Sequence, residues 1–91
     1  MNVQLAMNAL KVGQSAYVTE IQAQPEMRRR LLDIGLIPGT KVTCTLRSPA
    51  GDPAAYAIRG AVIALRGVDA AGVRLEAPAL ERALGRRMAL A

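Results

Sequence analysis

The sequence predicts a small, mainly β domain: a barrel or sandwich of about five short strands, with one short helix after the first. Three observations predict it. At 91 residues the chain has room for one domain. Short runs of alternating apolar and polar residues recur between Gly- and Pro-containing turns. One stretch alone in the first 77 residues, Pro25 to Ile34, carries a helical apolar period. Apolar residues make up 52% of the chain, but 17 of them are alanine, so the large apolar side chains suffice for one small core.

From Met1 to Val12, Leu5, Met7 and Leu10 are apolar anchors for a segment expected to pack across the domain. Gly13-Gln14 turns the chain. Ser15 to Gln22 reads as a strand with Ala16 and Val18 on one face and Tyr17, Thr19 and Ile21 on the other. Pro25 suits the first turn of a helix, because its missing N–H would have no partner there. Glu26 complements the helix dipole. Met27, Leu31 and Ile34 form the apolar stripe, and Gly35 is the expected left-handed cap.

Ile37-Pro38-Gly39-Thr40 has Pro and Gly where a type II turn needs them. Thr40 to Arg47 alternates, which places Val42, Cys44 and Leu46 inward and Lys41, Thr43, Thr45 and Arg47 outward. Two prolines and a glycine make 48–53 a loop. Ala55 to Arg59 and Ala61 to Arg66 are the next strands, with a bend or bulge at Gly60. Gly67 to Ala71 turns the chain into a last strand, Gly72 to Ala77. The barrel is therefore expected to occupy 1–77. From Pro78 to Ala91, Leu80, Leu84 and Met88 repeat at helical spacing and suggest an amphipathic tail helix. Its apolar stripe would pack on its own barrel, dock on a partner or form a symmetric self-contact, which leaves a homo-oligomer open.

Composition excludes several chemistries. There is no histidine, hence no histidine base or ligand, and the single cysteine rules out an internal disulfide. Two tyrosines and no Trp or Phe leave almost no aromatic surface for stacking bases or gripping proline-rich ligands. The longest apolar run is five residues, Ala61 to Leu65, far short of the roughly 20 that span a bilayer. No membrane insertion is expected, and no secretory leader. Net charge is +5, and ten of the 12 basic residues are arginine. The clusters are Arg28-Arg29-Arg30 and Arg86-Arg87.

Arg29-Arg30-Leu31-Leu32-Asp33-Ile34-Gly35-Leu36-Ile37-Pro38-Gly39-Thr40 resembles the signature of FeoA-type ferrous-iron transport accessory proteins. Ser48-Pro49-Ala50-Gly51-Asp52-Pro53 is similar to that family's mid-domain loop. Ile58-Arg59-Gly60 and Ala64-Leu65-Arg66 are similar to its closing strands, and Leu10-Lys11-Val12-Gly13-Gln14 to its opening. The series covers about residues 7–77 in order. The resemblance implies an SH3-like β-barrel in the bacterial cytoplasm and partnership with a FeoB-type permease, which carries a cytosolic G domain. It implies neither an enzyme nor a tightly held metal or other cofactor. A related domain closes some iron-dependent repressors, but no helix-turn-helix precedes the domain here.

The candidate partner-binding residues are Arg28, Arg29, Arg30, Ile37 and Arg66. The arginines suit an acidic partner surface, and one of them or Arg66 could act as an arginine finger toward a G domain. Ile37, beside the Pro-Gly turn, is the apolar contact; Leu36 belongs to the core. Cys44 reads as a small buried hydrophobe rather than an iron ligand or redox switch, since one ligand makes no site. Glu26, Asp33, Asp52 and Asp69 lack the spacing of a calcium loop and read as solvated or turn-capping carboxylates. The competing function is a stand-alone nucleic-acid-binding barrel, which the scarcity of aromatics opposes, so no nucleic acid is expected. A metal-sensing domain and a peptide-binding SH3 adaptor are weaker still, for want of ligands and of an aromatic groove.

Overall fold

The computed structural model describes residues 2–78. The tail helix expected after Pro78 lies outside the described residues. One antiparallel sheet of six strands builds the domain, in the spatial order β1-β6-β2-β3-β4-β5. The strands are β1 (Asn2–Ala6), β2 (Ser15–Ile21), β3 (Lys41–Arg47), β4 (Ala54–Ile58), β5 (Ala61–Leu65) and β6 (Val73–Pro78). Helix α1 (Pro25–Asp33) links β2 to β3, and the single helical turn α2 (Gly67–Ala70) links β5 to β6. A 3-10 turn, Met7–Ala9, follows β1. The sheet wraps a single core in which Leu36, Val42, Tyr56, Ile58, Val73 and Leu75 are buried.

The strand beyond the expected five is β1, which pairs antiparallel with β6 from Asn2↔Pro78 to Ala6↔Arg74. Asn and Ala are depleted in strands and the alternation of Asn2-Val3-Gln4-Leu5 is short, so this strand is fixed chiefly by a partner some 70 residues away in sequence.

Two β-bulges correct the expected alternation. In β2 the register with β6 shifts between Val18 and Glu20. One extra residue inverts the side-chain parity beyond it, so Ile21 joins Ala16 and Val18 in the core instead of facing away. In β3 the register with β4 shifts between Cys44 and Leu46. Leu46 is therefore turned out, 65% exposed, and not inward as the alternation required. Arg47 takes the inward position, half-buried. Its guanidinium donates to the carbonyls of Asn8, Leu10 and Gly51, tying the end of the N-terminal arm to the 48–53 loop.

Helix α1 begins at Pro25 as its sequence requires. Leu31 is buried, while Met27, Leu32 and Ile34 pack against the core from its rim. The helix ends in a Schellman motif: Leu36 N–H donates to Leu31 C=O at 3.2 Å and Gly35 N–H to Leu32 C=O at 2.9 Å. Gly35 has φ +105°, and a Cβ there would sit 2.6 Å from the Arg59 Cδ. The helix end thus lies directly against the β4–β5 turn.

Tyr56 lies in the core beside Arg47. Burial pushes its phenol pKa above the ordinary value, with the Arg47 charge pulling the other way. A raised folded-state pKa means the unfolded chain ionises first. The contribution to stability is complete below about pH 10, the free phenol value, and is lost as pH rises through the folded-state value. Alkaline unfolding is thus expected to begin above about pH 10 and to move to higher pH in Tyr56→Phe. Circular dichroism against pH checks this; an identical alkaline limb in both proteins would contradict it.

Candidate functional site

The β4–β5 connection is a two-residue turn, Arg59-Gly60, with φ +50° and +86°. These are the signs of the type I′ turn that matches strand twist. The turn brings Arg59 beside the end of α1 and beside the Ile37–Thr40 turn, whose Thr40 N–H donates to Ile37 C=O at 3.0 Å. Ile37, Pro38, Gly39, Thr40, Lys41 and Arg59 line an open depression of about 380 Å³. The depression is apolar along Ile37-Pro38 and cationic at Lys41 and Arg59, with no acidic residue in its lining. Ile37 is 43% exposed, an unusual amount for a large aliphatic held between a helix end and a tight turn, whereas its neighbour Leu36 is wholly buried.

The five candidate residues do not form one site. Arg28, Arg29 and Arg30 are all exposed on α1. Successive helical residues point about 100° apart, so the three fan around the outer side of the helix instead of forming a flat patch. Ile37 lies four positions beyond Asp33, the last residue of the helix, and shares its end of the molecule. Arg66 does not. It stands at the far end of β5 from the Arg59-Gly60 turn, a separation of roughly 16 Å for five extended residues. Its Nε is 3.2 Å from Asp69 Oδ2, an exposed arginine on a half-buried carboxylate in the turn of α2. Arg66 is thereby engaged locally and set apart from the helix.

Lys41 and Arg59 were not legible as site residues. Lys41 follows from the expected outward face of β3, but nothing in the sequence sets it beside Arg59. A non-glycine residue at positive φ is uncommon, and Asn or Asp is the usual choice in such a turn; arginine there gives no turn signal.

Two of the candidate carboxylates hold structure and two are solvated. Asp52 Oδ1 accepts the Gly67 N–H at 2.7 Å, capping α2 from the 48–53 loop. Asp69 holds Arg66, and Glu26 and Asp33 are exposed on α1. Cys44 is wholly buried. Among the described residues, no group of three or more His, Cys, Asp or Glu side chains lies close enough to hold a metal ion. No helix among them is long and apolar enough to cross a membrane. The arrangement is an open depression, apolar along Ile37-Pro38 and flanked by the cations of Lys41 and Arg59.

Comparison with known proteins places the chain in a family. The chain is 28% identical over 72 residues to the Fe(2+) transport protein A/Fe(2+) transporter FeoB fusion protein of Porphyromonas gingivalis. The match takes in 79% of this chain and only 8% of that protein. The solution structure of FeoA from Chlorobium tepidum superimposes with a TM-score of 0.76 at 35% identity, covering 82% of this chain and 71% of that one. FeoA of Stenotrophomonas maltophilia complexed with zinc, described as a prokaryotic SH3 domain protein, gives a TM-score of 0.71 at 27% identity, covering 78% and 88% of the two chains. The FeoA domain family itself matches residues 5–77, nearly the whole of the six-stranded sheet, and the chain belongs to that family, with its SH3-like fold and its link to ferrous-iron transport.

Proposed function

We propose that this domain is a non-enzymatic accessory protein of ferrous-iron uptake that docks in the cytoplasm on the cytosolic region of a FeoB-type permease. The observation that carries the reading is the fusion protein of P. gingivalis, in which a segment similar to this chain shares one polypeptide with a FeoB transporter. Covalent linkage holds two modules at an effective concentration of about millimolar. Docking between two modules, linked or not, needs a contact surface on each.

Ile37 and its surroundings supply such a surface. An exposed aliphatic side chain beside a rigid Pro-Gly turn gains from burial against a partner and has little ordering cost to meet. Lys41 and Arg59 border it with positive charge, and the Arg28–Arg30 fan adds more on the helix that leads to it, which suits an acidic partner and makes association salt-sensitive. Docking regulates transport only by favouring one state of the permease, through a difference in affinity between states.

The test is a pull-down of the permease's cytosolic region, with and without a GTP analogue, by the wild-type chain and two variants. Ile37→Asp is expected to weaken binding about 30-fold, the loss of a hot spot near 2 kcal/mol. The Arg28→Ala/Arg29→Ala/Arg30→Ala variant is expected to weaken it about fivefold, since exposed charges contribute a few tenths of a kcal/mol each. Binding that ignores both substitutions would move the docking surface off this end of the molecule.

A further inference from the structure

We propose that the outer edge of β5 is a docking site for an extended segment of a partner protein, uncharged in its middle and acidic at each end, which joins the sheet as an added strand. Strand β5 is the last in the sheet, and among the described residues no strand pairs with its outer edge. Its ladder with β4 shows which groups are free. Ile58 and Ala61 flank the two-residue turn and therefore exchange both hydrogen bonds. The pattern alternates along an antiparallel pair, so Ile63 and Leu65 also bond to β4. Val62 and Ala64 direct their N–H and C=O groups the other way, outward. Both are exposed, Val62 by 67%.

Natural sheets blunt such edges with charged residues, proline, bulges or a covering element. Strand β5, Ala-Val-Ile-Ala-Leu, has no charged or polar side chain, no proline and an unbroken register with β4. The opposite edge, β1, has Asn2 and Gln4 exposed along it. The apolar character continues across the outer face. Val62 lies across from Ala57, and Ala64 across from Ala55, which in turn neighbours the outward-turned Leu46.

Charge selects the occupant. Arg59 precedes this edge and Arg66 follows it, both exposed, roughly 20 Å apart along the strand. The Arg66 contact with Asp69 uses its Nε, and a guanidinium has four further N–H donors for an incoming carboxylate. A partner strand with acidic residues about six positions apart meets both arginines and completes the outward hydrogen bonds. Strand addition uses main-chain bonds for affinity and needs no aromatic groove. It does not depend on the partner being the permease.

The experiment titrates the isotope-labelled full chain, followed by amide NMR, with two nine-residue peptides. Each has an alternating Val-Thr middle of five residues; one has two Glu at each end and the other two Lys. The Glu-ended peptide is expected to give saturable shifts centred on the Val62 and Ala64 amides and to bind at least tenfold more tightly than the Lys-ended one. Val62→Pro deletes an outward N–H that the ladder with β4 does not use, and is expected to weaken binding at least tenfold. Arg66→Glu leaves every backbone donor in place and is expected to narrow the gap between the peptides at least threefold. Absence of shifts, shifts centred on Ile37 or α1, or equal affinity for both peptides would overturn the proposal. So would concentration-dependent dimerisation that protects the β5 amides. A silent β5 in a chain that binds the permease would overturn this proposal and leave the adaptor reading intact.

Discussion

Arg47→Ala is expected to lower the melting temperature by roughly 10–25 °C, the larger of two effects that the fold places far from the docking surface. The guanidinium joins the carbonyls of Asn8, Leu10 and Gly51, on two segments some 40 residues apart in sequence. Hydrogen bonds to a charged group contribute about 1.5–3 kcal/mol each when well buried. These are only half-buried, so the three together are worth roughly 2–4 kcal/mol, and for a domain of this size each kcal/mol moves the midpoint by about 4–8 °C. Arg47→Lys is expected to recover less than half, because one ammonium cannot reach three diverging carbonyls. Leu46→Ala supplies the contrast. Strict alternation along β3 would make Leu46 a core residue costing about 2–5 kcal/mol to truncate; the bulge turns it to solvent, and its loss is expected to cost less than about 0.5 kcal/mol. A thermal melt in which Leu46→Ala is the more damaging of the two would show that the bulge is misplaced.

Gly72→Ala is the second large effect, about 2–3 kcal/mol. A Cβ at Gly72 would run into the backbone carbonyl oxygen of Gln22. The two strands are also joined there, since Gln22 N–H donates to Gly72 C=O at 2.6 Å. Backbone cannot swing aside as a side-chain end can, so the start of β6 must move, and forced overpacking costs about 1–3 kcal/mol. Since β6 lies between β1 and β2, the displacement disturbs two ladders. Chemical denaturation checks it; a loss under about 0.5 kcal/mol would mean that the strands are not so close.

The sequence made most of the scaffold legible because local rules agreed there. Pro25, the Leu31 and Ile34 stripe and Gly35 each point to the same helix. Pro38-Gly39 gives its turn, and Tyr56 with Ile58 gives the inward face of β4. What it hid was set by distant partners. Strand β1 exists because β6 pairs with it, and the bulges beside Thr19 and Thr45 are differences in register between strands, invisible in either strand alone. One bulge hid the burial of Ile21, the other the exchange of Leu46 for Arg47. The candidate site shows the same division. Ile37 was readable because a large aliphatic next to a Pro-Gly turn has few ways to be buried. Arg59 was not, because only the pairing of β4 with β5 sets it against Gly35. Arg66 looked equivalent to the other arginines in sequence, yet a whole strand separates it from them.

The central claim is that this surface brings the domain to a permease. Calorimetric titration of the purified chain into full-length permease in detergent, in the GTP-analogue and GDP states, tests it most directly. The account predicts saturable binding in at least one nucleotide state, weakened as salt is raised and abolished or reduced about 30-fold by Ile37→Asp. No heat of binding in either state, at low salt and at concentrations well above micromolar, would contradict it.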